Sequence, residues 1–305
     1  GMTLQNANFK EGNIKTNAKN SSFDYLAMQF RLWKRMGMAV GFLPFSTVGY
    51  SLSNTSELTK DEDGTVINKT ASYAGDGGLQ QVFAGVGFKV LDNLSIGANI
   101  SYIYGDITHS VTTAFSNSSS FSSVRLDKIS INDYKLDFGL QYSYKFNKKH
   151  VLNFGAVYSL GHSVNGKGYK YNQKWLNGAD YPSTQTGDTI TNAFSLPHTF
   201  GAGLTYVYDN RLTIGADFTY QQWEDAKFYN EKSYFSNRTK IAAGAEFVPN
   251  PYSRNYLKRV RYRVGGYYSD PYTKVDGQDG TREYGVSAGF GFPLFQSKSI
   301  PVSYT

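Results

Sequence analysis

Hydrophobic and polar residues alternate with a period of two along most of the chain. From 94 to 104, Leu94, Ile96, Ala98, Ile100, Tyr102 and Tyr104 share one face, while Ser95, Gly97, Asn99, Ser101 and Gly105 dominate the other. From 211 to 221, Leu212, Ile214, Ala216, Phe218 and Tyr220 oppose Thr213, Gly215, Asp217, Thr219 and Gln221. Between 132 and 146, Tyr134, Leu136, Phe138, Leu140, Tyr142, Tyr144 and Phe146 oppose a row of Asp, Lys, Gly, Gln and Ser. Successive side chains on a strand point to opposite faces, so this period predicts strands with one apolar and one polar face. The pattern predicts strands over 3–11, 22–34, 37–53, 66–91, 94–115, 124–146, 150–171, 191–208, 211–229, 234–249, 256–269, 281–295 and 299–305.

The apolar faces run unbroken over about 9–11 residues, the length a tilted strand needs to cross a bilayer. They end in aromatics such as Tyr142, Tyr144, Phe146, Tyr206 and Tyr208, as interface girdles do. The polar faces are rich in Gly, Ser, Asn and Thr with isolated charges, as a crowded polar lumen is. A soluble sandwich or lipocalin-like barrel also alternates, but its solvated face carries more Lys and Glu.

Tight turns at Lys34-Arg35-Met36, Leu91-Asp92-Asn93, Asn147-Lys148-Lys149 and Asp209-Asn210-Arg211 alternate with longer polar links near 12–21, 54–64, 116–123, 172–190 and 270–280. A looser turn is expected at Pro249–Asn255, and another at Gln296-Ser297-Lys298. Such alternation is the signature of an up-and-down antiparallel barrel with short turns at one end and longer loops at the other. The fold expected is therefore all-β: a transmembrane β-barrel of about 14 strands, with about 12–13 in this chain, residues 1–305 forming one domain. Gly1-Met2 reads as a tag-cleavage scar, so a native leader is expected to lie outside this sequence. The stub at 299–305 and the even-strand rule lead to the expectation of a barrel fragment.

Composition narrows the class further. The 305 residues include 25 Tyr and 21 Phe with only 18% charged residues, which excludes a disordered chain. Cys is absent, which excludes disulfide scaffolds, thiol enzymes and Cys-ligated metals. No apolar run approaches the ~18 residues of a spanning helix. The net charge is +7, but Lys and Arg are dispersed and form no basic helix or aromatic platform, so no nucleic-acid partner is expected.

Ile241-Ala-Ala-Gly-Ala-Glu-Phe-Val-Pro249, then Tyr262-Arg-Val-Gly-Gly-Tyr-Tyr268, then Gly285-Val-Ser-Ala-Gly-Phe-Gly-Phe-Pro-Leu294 resemble the FadL/TodX family of outer-membrane hydrophobic-compound transporters. The Gly85–Gly105 hairpin is similar as well. The resemblance implies a fourteen-stranded barrel plugged by an N-terminal hatch. It implies passive uptake of long-chain fatty acids or aromatic hydrocarbons, delivered laterally through a wall opening. No hatch-like segment precedes the first strand here, so the family's gating elements map to no residue of this chain.

Arg259, Arg261 and Arg263 share one parity, with Glu246, Lys240 and Asp217 on the polar faces of the two preceding strands. They form either an anion-attracting wall that holds a carboxylate head group or a structural Arg–carboxylate lattice across the lumen. Trp175, Tyr171, Trp223 and Phe228, with Tyr169, Tyr181, Tyr229, Tyr234 and Phe235, lie toward outer strand ends and loops. They read as a capture surface for greasy ligands, as the outer aromatic girdle, or as both. His109, His150, His162 and His198 lack metal-ligand spacing. A barrel-embedded enzyme would need a Ser–His pair, for which only His162 with Ser159 or Ser163 offers itself. No catalysis, cofactor or metal is therefore expected. The expected setting is a monomer in the cell outer membrane, in contact with lipid and lipopolysaccharide and carrying hydrophobic small molecules. The rival is an outer-membrane barrel with a structural or adhesive role.

Overall fold

A computed structural model describes residues 1–293, apart from 13, 61–62, 118, 177–183, 193, 230–231 and 276. The expected strand at 299–305, the turn at 296–298 and Tyr181 lie outside the described residues. The chain opens with β1 (Met2–Glu11) and β2 (Ile14–Phe23), which pair with each other as a hairpin. Then come β3 (Leu26–Trp33), β4 (Met36–Lys60), β5 (Val66–Lys89), β6 (Leu94–Phe115) and β7 (Phe121–Lys145), a meander of neighbours. Next are β8 (His150–Ser159), β9 (His162–Ser163), β10 (Gly166–Leu176), β11 (Thr184–Thr191) and β12 (Ser195–Leu196). The meander resumes with β13 (Thr199–Tyr208), β14 (Leu212–Gln221), β15 (Arg238–Phe247) and β16 (Arg261–Ser269). A small ribbon of β17 (Lys274–Val275) and β18 (Gln278–Asp279) precedes β19 (Glu283–Gly291).

The fold is all-β. One antiparallel sheet of 13 strands runs β19-β16-β15-β14-β13-β8-β7-β6-β5-β4-β3, with β10 and β11 laid beside the far half of β7. Among the described residues, β3 and β19 are its end strands. The expected alternation is realised along the ladder. Ile100 is 58% exposed and Ile103, on the opposite face, 1%. Leu79, Gln81, Ser101, Ile129 and Ile131 share the buried face. Residues from the β9 and β12 segments and the β14–β15 loop pack onto that face, so it is the concave interior. Period-2 patterning thus turns an apolar surface outward and a polar one inward.

Five expected boundaries are corrected. The polar link at 12–21 is mostly strand β2. Its Asn and Lys residues read as loop, but they pair in register, and Asn17 Nδ2 donates to Asn6 Oδ1 and Asn8 Oδ1 at 2.5 and 2.7 Å. The strand expected at 150–171 is cut between Ser159 and Gly166, and that at 191–208 is cut around β12. The strand expected at 211–229 ends at Gln221. That expected from 256 begins only at Arg261, because Tyr256–Arg259 form a 3₁₀ turn capped by Asn255, whose side chain accepts from the Leu257 N–H.

A bend crosses β4, β5 and β6 at one level. Phe45 is bulged out of the β4–β5 register, and Gly77 and Gly105 adopt φ of +107° and +143°. A Cβ at Gly105 would stand 2.3 Å from the Gly78 carbonyl oxygen, so only glycine fits there. Beyond this bend the far halves of β4–β7 with β10 and β11 form a polar outer sheet.

Candidate functional site in the barrel interior

The interior is filled from the wall itself. Leu160-Gly161 and Leu196-Pro197 interrupt two facing strands, since Pro cannot donate to a ladder and a Cβ at Gly161 would meet the His198 nitrogen at 2.3 Å. The freed segments turn inward. β9 pairs with β12, the Val164 N–H donates to the Phe194 carbonyl at 3.0 Å, and the Ser195 N–H donates to the Lys227 carbonyl at 3.0 Å. Phe194 and Phe228 add an isolated antiparallel bridge. This narrow ribbon carries Val164, Leu196 and Tyr229 onto Leu79, Ile103, Ile129 and Ile131 across the lumen. The small hollow left between Leu79, Ile103, Ile131, Val164, Phe194 and Leu196 has no room for a water molecule.

Aromatic rings continue the seal. Trp223 lies 5.3 Å from Phe235 and 5.0 Å from Tyr272, and Phe228 lies 5.0 Å from Tyr229 and 5.5 Å from Tyr234, centroid to centroid. The Lys170 ammonium sits 4.5 Å over the Tyr229 ring. Burial, and then the nearby Asp127 carboxylate, push the Tyr229 hydroxyl up to about 12. That hydroxyl is buried without a hydrogen-bond partner among the described residues.

Sequence reasoning grouped Trp175, Tyr171, Trp223 and Phe228. The structure separates them. Lys170 pairs opposite Asp127 on the inner face, so Tyr171 of β10, opposite Leu126, falls on the other face and is 42% exposed, while Trp175 stands opposite the buried Ser122. Trp223 and Phe228 belong to the interior cluster instead.

The charged candidates divide as well. Arg261 Nη1 donates to Glu246 Oε1 at 2.6 Å and Arg263 Nε to Glu246 Oε2 at 2.7 Å, so one carboxylate bridges two guanidiniums. Arg259 does not share their row. It ends the 3₁₀ turn, its guanidinium 5.5 Å from the Tyr256 ring and its Nε buried without a partner among the described residues. Asp217 pairs opposite Ala242, four positions along β15 from Glu246, which separates the two carboxylates by roughly 13 Å at strand rise. Lys240 lies farther still along β15 and sits 5.3 Å over Tyr267. At the far side of the wall, a hollow of about 660 Å³ is lined by Gln29, Arg31, Gly37, Gly85, Gly87 and Asn99.

The histidines are tied to tyrosines. Tyr50, Tyr206 and Tyr158 share hydrogen bonds with His109, His150 and His198 at 3.0, 2.5 and 2.8 Å. His162 stacks on Tyr134 at 4.6 Å, with Nε2 3.4 Å from Asp133 Oδ2. Ser159 donates to Asp137, and Ser163 faces Ser195 at 3.5 Å, so neither serine is paired with His162. The alternation could not reveal the inward ribbon. Its available signal was Gly161, Gly166 and Pro197 inside otherwise continuous patterns.

The architecture is that of the β-barrel hydrocarbon channels. The chain superposes on CymD, a monoaromatic hydrocarbon channel, with TM-score 0.55 and 11% identity over 97% of this chain and 78% of that one. It superposes on the Pseudomonas putida toluene transporter TodX with TM-score 0.55 and 14% identity over 96% and 78%. For the Ralstonia pickettii toluene transporter TbuX the values are 0.56, 13%, 96% and 77%. The likeness to FadL/TodX proteins expected from residues 241–294 therefore holds for the fold. No curated protein matches the sequence. The chain belongs to the BamG family, whose model matches residues 1–303.

Proposed function

We propose that this protein is an outer-membrane barrel for passive uptake of hydrophobic small molecules, such as long-chain fatty acids, and not an enzyme. The observation that carries the reading is the pairing of an apolar exposed outer face with an aromatic-filled interior. Lipid and lipopolysaccharide cover the outside, and the protein works as a monomer. Trp223 and Phe228 offer apolar contacts within the lumen. Arg261 and Arg263, already drawn to Glu246, offer donors to a carboxylate head group. Fold likeness to hydrocarbon channels supports the class of cargo. The interrupted wall at 160–165 supports a sideways route.

The test is uptake into liposomes holding the full-length protein. A fluorescent long-chain fatty acid should enter while a charged sugar should not. Replacing Arg261 and Arg263 together by Gln should slow the fatty acid more than an uncharged hydrocarbon. Sugar leakage alone would make it a general porin. The second reading, a structural or adhesive barrel, is favoured by the long β4–β5 hairpin with its Ser53–Ser72 and Thr55–Thr70 pairs. No flux of either compound would favour it.

A further inference from the structure

The chain's positive charge is not spread evenly between the two ends of the sheet. The antiparallel order β3–β8 and β13–β16 brings the connections at 34–35, 90–93, 146–149, 209–211 and 248–260 to one end. Together these connections hold eight Lys and Arg against two Asp, Asp92 and Asp209. Lys89 and Lys145 close the strands that enter them. The whole chain has 31 Lys and Arg against 24 Asp and Glu, so this end carries nearly all of the excess.

Both aspartates are already engaged by their basic neighbours. Asp92 lies 3.4 Å from Lys89 and 3.9 Å from Arg35, and Asp209 lies 3.5 Å from Arg211. Lys148, Lys149, Arg254 and Lys258 have no ion pair among the described residues. Between the charges stand outward apolar side chains. Leu91, Phe146 and Leu257 are more than half exposed at the turn tips, and Tyr252 is 90% exposed. Trp33 and Tyr144 follow at the strand ends.

We infer that this end is a docking surface for anionic phospholipid headgroups. Two features select a lipid leaflet over an acidic protein. The basic residues recur at turn after turn and are not gathered on one side. Apolar and aromatic tips are interleaved with them, as suits a surface that dips into the headgroup and acyl boundary while Lys and Arg reach phosphate. The inference rests on the membrane reading given above.

The test places the full-length protein in phosphatidylcholine nanodiscs with a trace of spin-labelled phosphatidylglycerol or spin-labelled phosphatidylcholine. Electron paramagnetic resonance then reads the motionally restricted lipid in contact with the protein. Phosphatidylglycerol should be enriched about threefold, and the enrichment should fall as salt rises toward ~0.5 M. Exchanging Lys148→Gln, Lys149→Gln, Arg254→Gln and Lys258→Gln together should abolish it. Exchanging Lys60, Lys69, Lys167 and Lys174 to Gln, at the long-loop end, should leave it intact. Enrichment that survives the first set, or falls equally with the second, would overturn the proposal. So would tight binding of polyglutamate, lost with the first set, without lipid enrichment; that result would assign the surface to an acidic protein. Failure to enter nanodiscs at all would count against the membrane reading itself.

Discussion

Phe194 and Phe228 meet edge to face, with ring centroids 6.5 Å apart and planes at 86°. Their backbones are joined by an isolated bridge outside every strand. Phe194 belongs to the interrupted β11–β13 wall and Phe228 to the β14–β15 loop. This pair therefore ties an inward wall segment to a loop, and with Val164, Leu196 and Tyr229 it packs onto Leu79, Ile103, Ile129 and Ile131.

This interior packing predicts that wild-type protein in a planar bilayer conducts almost no ions. Replacing Phe194 and Phe228 together by Ala removes the edge-to-face pair and much of the packing beneath it. Steady single-channel conductance should appear. A double variant as silent as the wild type would mean that the lumen is closed elsewhere.

The two faces should respond oppositely to charge. Ile96 and Ile214 are each 47% exposed on the outer face, and their neighbours Ser95 and Thr213 point inward. Arg at Ile96 or Ile214 should cost about 2–4 kcal/mol in a bilayer, and Arg at Ser95 or Thr213 much less. Urea titration of the four variants in lipid vesicles measures this. Equal costs would refute the inside–outside assignment.

Most of the barrel wall was legible because alternation is a local property. Leu94 to Tyr104 and Leu212 to Tyr220 carry the face pattern in their own order, and the ladder obeys it. The interior was not legible. Whether Val164 and Leu196 turn inward depends on what faces them across the lumen, and period-2 reasoning places residues only on a face of their own strand. The same limit explains the charged candidates. Parity correctly joined Arg261 and Arg263, and Glu246 proved to be their common partner. Parity could not register the 3₁₀ turn that removes Arg259 from the row. The aromatic group of Tyr171, Trp175, Trp223 and Phe228 meets the same limit. Composition gathers its members, but β10 carries Tyr171 and Trp175 while Trp223 and Phe228 join the interior cluster.

Gly105 should be intolerant where Gly87 is not. Alanine at 105 must adopt a φ of +143° and set its Cβ 2.3 Å from a carbonyl oxygen. Nothing lies within 4 Å of a Cβ at Gly87. Gly105→Ala should cost about 1–3 kcal/mol, and Gly87→Ala should be close to neutral. Thermal unfolding of both variants in detergent tests the bend. An unaffected Gly105→Ala would mean that the backbone there relaxes freely.

Tyr229 gives the plug an alkaline limit. Burial, reinforced by Asp127, holds its hydroxyl neutral up to about 12, above the ordinary value of about 10. A raised folded-state value means that its contribution is complete below pH ~10. The contribution is lost as pH climbs through about 12, because the unfolded chain gives up that proton first. Tyr229→Phe should erase this part of the pH dependence. Near neutral pH it should leave stability equal to the wild type or higher by about 1 kcal/mol, since the buried hydroxyl it removes has no partner among the described residues. Unfolding free energies of both proteins between pH 8 and pH 12, compared as a difference, isolate this one group from the other tyrosines. A flat difference would show that Tyr229 does not titrate with the plug. A clear loss of stability in the variant at pH 8 would show that its hydroxyl is satisfied.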